Sequence, residues 1–304
     1  MEYVPFDDLN QIVFNYLKEG SPKYLHYLIE QVEKKLVAAK PDFIVLWDDG
    51  LPIGRAIVLV AKKLGITTLV IQYAIYYSFA PSDLVADYAL VWGKYFKDIF
   101  LKHKAREPED MYILGYPYLV KKSRVRSNGK KKITVCYLGQ NYEALNTGFL
   151  EIKIKTLNGL SLICKELGME FIYRPHPADD RLMLLEKLPY ISFTPEKEKL
   201  EQTFEKADIF ISLSSASLVE AALRSKISLQ LVNYPLTLDN FEKLGVCNKS
   251  FKNIKELEVY LTNMVSMLRK NEVELKFNND YIETRNNPAD RFLEILSQIE
   301  KSEL

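Results

Sequence analysis

Two periodicities alternate along the chain. Leu9, Ile12, Val13, Tyr16 and Leu17 are apolar at helical spacing until Ser21-Pro22 breaks the run. A second helix is expected over 23–39, carrying Leu25, Leu28, Ile29, Val32 and Leu36. After Pro41 the pattern changes to short, wholly apolar runs separated by helical segments. Strands are expected over 43–47, 67–72, 88–92 and 111–114, with helices over 53–64, stopped at Gly65, and 94–104. The alternation restarts further on. Strands are expected over 133–138, 170–174, 191–193, 208–213 and 228–232, with helices over 150–167, 200–206, 217–224, 253–270 and 288–299. Short strands that are apolar on both faces belong to parallel sheets covered by helices on either side. The expected fold class is therefore α/β, with two Rossmann-like domains facing a cleft. The N-terminal domain is short, with about four strands.

Between the two halves, residues 121–132 read KKSRVRSNGKKK, and seven of these twelve are Lys or Arg. The stretch reads first as a solvated interdomain linker. A basic patch for phosphate or an acidic membrane surface is its alternative. The expected division is 1–120 as the N-terminal Rossmann-like acceptor domain and 121–132 as the basic linker. Residues 133–280 then form the donor domain, and 281–304 a terminal segment whose helix crosses back to the first domain. In that segment Asn287 and Pro288 make a helix start, and Phe292 and Leu296 are expected at the domain junction.

Composition narrows the function classes. Lys plus Arg number 41 and Asp plus Glu 40 among 304 residues, a net charge of +1. Such a balance argues against a nucleic-acid partner gripped by a general basic surface. No apolar run approaches the roughly 20 residues needed to span a bilayer, and Asp7-Asp8 sits where a signal peptide needs its apolar core. The three cysteines, Cys136, Cys164 and Cys247, are far apart, and the only histidines are His26, His103 and His176. Disulfides and Cys- or His-based metal sites are not expected, and the default compartment is the cytoplasm. The basic stretch adds a candidate peripheral contact with the inner membrane face. His26 and His103 read as surface residues.

Chemistry concentrates at two strand ends in the second half. Tyr173-Arg174-Pro175-His176-Pro177 follows an apolar strand, and its two prolines fix the backbone and forbid helix. Arg174 and His176, held there by Pro175 and Pro177, suit a phosphate or carboxylate. The second motif, Ser212-Leu213-Ser214-Ser215-Ala216-Ser217-Leu218-Val219-Glu220, takes a strand into hydroxyl residues and then a helix. Ser214, Ser215 and Ser217 supply capping chemistry at a helix start, where unpaired N–H groups favour an anion. Glu220 either closes a capping box or accepts from a ligand hydroxyl.

The succession of Gly139-Gln140 after a strand, then the HP and SS motifs, resembles the donor-binding domain of GT-B glycosyltransferases. More narrowly, it is similar to bacterial sialyltransferases and capsule polysialyltransferases that use CMP-activated sugars. Their D/E-D/E-G triplet has a counterpart in Asp48-Asp49-Gly50 at the end of the first strand. HP and SS motifs also occur in CDP-glycerol polymer transferases and Kdo transferases. The strand ending Gln72-Tyr73-Ala74 resembles the Gln-His-Gly strand end of other surface-carbohydrate enzymes but lacks the His and Gly. The resemblance implies a metal-independent glycosyltransferase without a cofactor. Its donor would be a nucleotide sugar, CMP-sialic acid or a similar CMP-sugar, and its acceptor a glycan or glycolipid hydroxyl. Asp49, then Asp48, would be the general base. His176 and Arg174, with Ser214 and Ser215, would hold the phosphate.

Around these, Gly139, Gln140, Pro177, Ser217 and Glu220 are expected to touch donor, and Gln72 and Tyr73 to touch substrate. Tyr73, Tyr76, Tyr77 and Phe79 either stack on a sugar face or pack under a loop. Two alternatives use the same fold: a non-hydrolysing sugar-nucleotide epimerase, and a carbohydrate-binding relative without turnover.

Overall fold

The computed structural model describes residues 22–75, 84–103, 107–117, 132–144, 146–236, 238–269, 277–284 and 286–302. The helix expected around Leu9–Leu17, the aromatics Tyr76, Tyr77 and Phe79, and basic stretch residues 121–131 lie outside the described residues. The chain divides into two compact units. The first comprises Met1–Tyr118 together with Asn279–Leu304, and the second Leu119–Asn278.

The first unit contains α1 (Pro22–Ala39), β1 (Phe43–Leu46), α2 (Pro52–Leu64), β2 (Thr67–Ile71), β3 (Tyr88–Val91), α3 (Lys94–Lys102) and β4 (Met111–Ile113). The second contains β5 (Thr134–Leu138), α4 (Gly148–Glu166), β6 (Glu170–Arg174), α5 (Arg181–Lys187), β7 (Ser192–Phe193), α6 (Leu200–Lys206), β8 (Ile209–Ser212), α7 (Ala216–Leu223), β9 (Ile227–Leu231), β10 (Lys249–Phe251) and α8 (Ile254–Arg269). The last helix, α9 (Pro288–Ser302), belongs to the first unit.

In the first unit four parallel strands lie in chain order, β1-β2-β3-β4. Strand alternation sorts the side chains between two cores. Ile44 and Leu46 pack with Leu28, Val32 and Leu36 of α1 and Ala56, Ile57 and Val60 of α2. Phe43 and Val45, with Leu69, Ile71 and Leu90, pack against Ile295 and Ile299 of α9. Phe292 and Leu296, expected at a domain junction, are partly buried on this sheet face. Ile295 and Ile299 are the fully buried members of the stripe.

The segment leading into α9 is stitched on by main-chain bonds. Tyr95 N donates to Asp280 O at 2.8 Å, and Glu283 N to Trp92 O at 2.8 Å. Two glycines permit the approach. A Cβ on Gly93 would lie 2.4 Å from the Tyr281 carbonyl oxygen, and Gly115, at φ +91°, would place one 2.7 Å from that of Glu283. The fully buried Tyr281 ring packs on Tyr95 and Phe96.

The second unit is a six-stranded parallel sheet of order β10-β9-β8-β5-β6-β7. The chain proceeds outward from β5 through β6 to β7, then returns to the other side of β5 with β8. The order therefore reverses between β5 and β8. Such a reversal diverts two successive loops in opposite directions and leaves a crevice at the strand ends. No reversal exists among the four described strands of the first unit. One α-helix and one strand lie outside the sequence expectation. Helix α5 is only seven residues long and carries Leu182 on its exposed side, so its apolar stripe is too brief to register. Strand β10 reads Lys-Ser-Phe and sits at the sheet edge, where polar residues are tolerated.

Candidate functional site

The switch point of the second sheet gathers most of the residues expected to bind donor. β5 ends at Leu138 and leads into Gly139-Gln140, and β8 ends at Ser212 and leads into Leu213-Ser214. The Gln140 side chain bridges the two loops. Its Oε1 accepts from Ser214 N at 2.8 Å and its Nε2 donates to Ser214 Oγ at 3.3 Å. Tyr142 completes the cluster, its hydroxyl 2.6 Å from Ser214 Oγ. Below them Ser212 Oγ donates to Leu138 O at 2.8 Å, tying β8 to β5. Ser215 caps α7, its side chain accepting from Ser217 N at 3.1 Å. The serines thus divide their work: Ser214 joins the loops, Ser215 caps, and Ser217 sits in the first turn.

Gly139 is needed where it stands. A Cβ there would lie 2.7 Å from the Tyr173 hydroxyl and 3.0 Å from both Arg174 O and His176 N. Its absence lets the turn after β6 cross beside β5, with Gly139 N donating to Arg174 O at 2.8 Å. In that turn His176 N donates to Asp179 Oδ2 at 2.9 Å, and Ala178 N donates to His176 Nδ1 at 3.1 Å. With Nδ1 accepting, the exposed His176 ring presents Nε2–H as a donor, and exposed Pro177 holds the turn rigid.

Three expected contacts have other employment. The Arg174 guanidinium, expected on a phosphate, turns along the sheet. It donates to Thr203 Oγ1 at 2.7 Å and Glu198 O at 3.0 Å, tying β6 to the start of α6. Glu220 does not close a capping box. It is buried, and its Oε1 accepts from Arg224 at 2.8 Å, one turn on. Gln72 is buried in the first unit, where its amide links strand ends. Its Oε1 accepts from Trp92 N at 2.9 Å and its Nε2 donates to Ala74 O at 2.8 Å.

The two acids at the end of β1 also differ from expectation. Asp49 is 3% exposed, and its Oδ2 accepts from Val85 N at 2.6 Å and Ala86 N at 2.8 Å, anchoring the chain entering β3. Asp48 Oδ1 accepts from Gly50 N at 2.9 Å and Leu51 N at 2.8 Å, shaping the entry to α2. Exposed Tyr73 feels the Asp48 carboxylate. Partial burial first, and that carboxylate second, push its phenol above the ordinary range, so it is a donor at neutral pH. His26 and His103 are exposed, as expected.

Sequence reasoning missed a buried ionic cluster beside the switch point. The Lys153 ammonium, its side chain 1% exposed, pairs with Glu143 and, at 3.0 Å, with Asp179 Oδ1. Asp179 Oδ2 also accepts from the Tyr173 hydroxyl at 2.8 Å. Burial, then Asp179, drives the Tyr173 phenol well above the ordinary range. The available signal was a lysine within the buried stripe of α4, between Phe149 and Leu157. Among the described residues, no His, Cys, Asp and Glu side chains gather in threes that could hold a metal ion. No described helix is long and apolar enough to cross a membrane.

No family model matches the sequence, and no curated protein matches it. Solved structures do. The chain is similar to UDP-GlcNAc 2-epimerase from Methanocaldococcus jannaschii in complex with UDP-GlcNAc and UDP, with a TM-score of 0.62 and 19% identity; the match covers 90% of this chain and 81% of that one. UDP-GlcNAc 2-epimerase from Neisseria meningitidis bound to UDP-GlcNAc gives 0.61 and 16%, covering 97% and 83%. MurG from Acinetobacter baumannii gives 0.56 and 13%, covering 91% and 81%. At these identities the likeness shows the fold. The chain has the α/β architecture of GT-B-type proteins, with two Rossmann-like domains built on parallel sheets.

Proposed function

We propose that the chain is a nucleotide-sugar-dependent glycosyltransferase whose donor nucleotide docks on the second unit. The observation that carries this reading is the Gln140–Tyr142–Ser214 cluster at the sheet's order reversal, beside the capped start of α7. Phosphate oxygens would accept from the first-turn N–H groups of α7, from the Ser214 and Ser215 hydroxyls and from His176 Nε2–H. Gly139, Gln140, Ser217 and Pro177 shape the floor and rim. Arg174 and Glu220 support the site through α6 and α7.

In the transfer step, a carboxylate takes the proton of an acceptor hydroxyl as its oxygen bonds to the donor's anomeric carbon. The bond from that carbon to the phosphate oxygen breaks, and the nucleotide leaves with the electron pair, its charge met by the helix start and His176. Of the two acids in the triplet, Asp48 suits the base role better, because Asp49 is buried and holds two main-chain N–H groups. Tyr73, in the field of Asp48, adds a hydroxyl and an aromatic face for a glycan or glycolipid acceptor.

The joint HP and SS motifs support a CMP-sugar, within the sialyltransferase-like subclass. The likeness to UDP-GlcNAc 2-epimerases supports a second reading, inversion at a carbon of a UDP-sugar. A thermal-shift panel of CMP, CDP, UDP and GDP tests both. A ligand at 100 times its Kd stabilises by about 2.7 kcal/mol. CMP selectivity with transfer of sugar supports the first reading, and UDP selectivity with epimerised product the second. Stabilisation by none of the four removes both. His176→Ala is expected to lower turnover by about 10² or more with the thermal transition unchanged, measured by steady-state kinetics.

A further inference from the structure

The buried cluster at Lys153 lies outside the ligand contacts, yet it touches both loops that carry them. Glu143 stands directly after Tyr142 in the 3-10 turn following β5, and Asp179 closes the turn that carries His176 after β6. Lys153, on α4 behind them, is the cation between the two carboxylates. We propose that Lys153 is a positioning residue, clamping the Tyr142 loop and the His176 loop into one unit so that the state of either loop is felt at the other.

Three observations carry this. The lysine side chain is 1% exposed and that of Asp179 fully buried, so water does not replace either partner. One cation between two acids leaves the acids repelling each other once it is removed, and a buried charge without its partner is strongly unfavourable. Asp179 spends its second oxygen on the His176 main-chain N–H and the Tyr173 hydroxyl, so any shift of its carboxylate moves the His176 turn directly. The Tyr173 hydroxyl lies where a Cβ on Gly139 would clash, which extends the same contact set back to the end of β5. Phosphate groups of the ligand class proposed above would meet Ser214 from one loop set and His176 from the other. The clamp then fixes the spacing between those contacts before any ligand arrives.

The inference rests on the nucleotide-sugar reading for its purpose but not for its test. Only three histidines exist, so the ring nitrogens of His176 can be followed by NMR and assigned by their loss in His176→Ala. Glu143→Gln alters the β5 loop alone, with little change of shape. The clamp requires that this substitution shift the His176 Nδ1 and Nε2 resonances in the folded protein, although Glu143 has no contact with that ring among the bonds described. Asp179→Asn, which leaves one acceptor oxygen for the Lys153 ammonium, the Tyr173 hydroxyl and the His176 N–H where aspartate offers two, must shift them more. Should Asp179→Asn fail to fold, Glu143→Gln still decides. Should Glu143→Gln itself fail, Lys153→Gln takes its place with the same expectation. His176 resonances identical to wild type in the folded variant overturn the clamp.

The second readout is CMP and UDP affinity by calorimetry. Folded clamp variants are expected to bind whichever nucleotide the wild type binds about tenfold more weakly, while Leu162→Ala, on the exposed side of α4, binds normally. Unchanged affinity beside shifted His176 resonances rejects the positioning role. If the wild type binds neither nucleotide, the functional reading fails, and the resonance test still judges the coupling.

Discussion

At the scale of single residues, polar side chains in this protein are assigned by their partners more than by their type. Asp48 and Asp49 are adjacent acids at one strand end, yet one shapes a helix entry and the other is buried under the chain entering β3. Asp49→Ala should cost about 2 kcal/mol, because two main-chain N–H groups lose their acceptor inside the protein. Asp48→Ala should cost about 1 kcal/mol, the net worth of a turn hydrogen bond that water can partly replace, yet abolish more of the transfer activity. Urea unfolding and a transfer assay on the same two variants check this. The reverse ranking of activities would return the base role to Asp49.

At the scale of elements, the first sheet is covered on one face by a helix that arrives from the far end of the chain. That docking depends on close main-chain approach at Gly93, where any Cβ would meet the Tyr281 and Asp280 carbonyls at 2.4–2.5 Å. Gly93→Ala should therefore cost about 2 kcal/mol or more. It should also speed amide exchange in the strand–α9 layer while leaving the second sheet protected. Hydrogen exchange read by mass spectrometry separates this from a global loss. The elements themselves were largely legible: β6 and α6 have the bounds their apolar runs indicate, the other long elements differ by a residue or two at an end, and α9 runs three residues further than its stripe. Elements that escaped notice are short or at an edge, where burial writes little pattern.

At the scale of the molecule, the two units differ in continuity. The second is one uninterrupted stretch, while the first needs both ends of the chain. A fragment of residues 119–278 should fold cooperatively by circular dichroism and keep the nucleotide-induced thermal shift. A fragment of residues 1–118 should not, since Leu69, Ile71, Leu90 and Leu114 would lose Ile295 and Ile299. The cysteines set a second global property. All three are buried thiols, and burial pushes Cys164 and Cys247 from 9.0 up to about 12, with Cys136 raised further still. A folded-state value above the unfolded one means the fold prefers the protonated form. That stability is complete below pH 9 and is lost as pH rises towards 12. Melting temperatures should fall steadily above pH 9, and a thiol reagent at pH 8 should label no cysteine until denaturant is added.

What the sequence determined by itself is what local periodicity can encode. Apolar runs of strand length between amphipathic helices require parallel sheets, and hydroxyl or Pro-flanked residues at strand ends require rigid, polar loop mouths there. Those signals located Gly139, Gln140, His176, Ser214 and Ser215 correctly at the ends of β5, β6 and β8. Only the tertiary structure decided the strand order, and with it the reversal between β5 and β8 that brings Gln140 to Ser214 across 74 positions. It likewise decided that Arg174 serves Thr203, that Gln72 serves Trp92, and that Lys153 has two acids to hold. The reason is range. Periodicity is written within a few residues, whereas a buried polar group takes whichever partner the packed sheets bring within about 3 Å, and the desolvation it must offset leaves no choice but to take one.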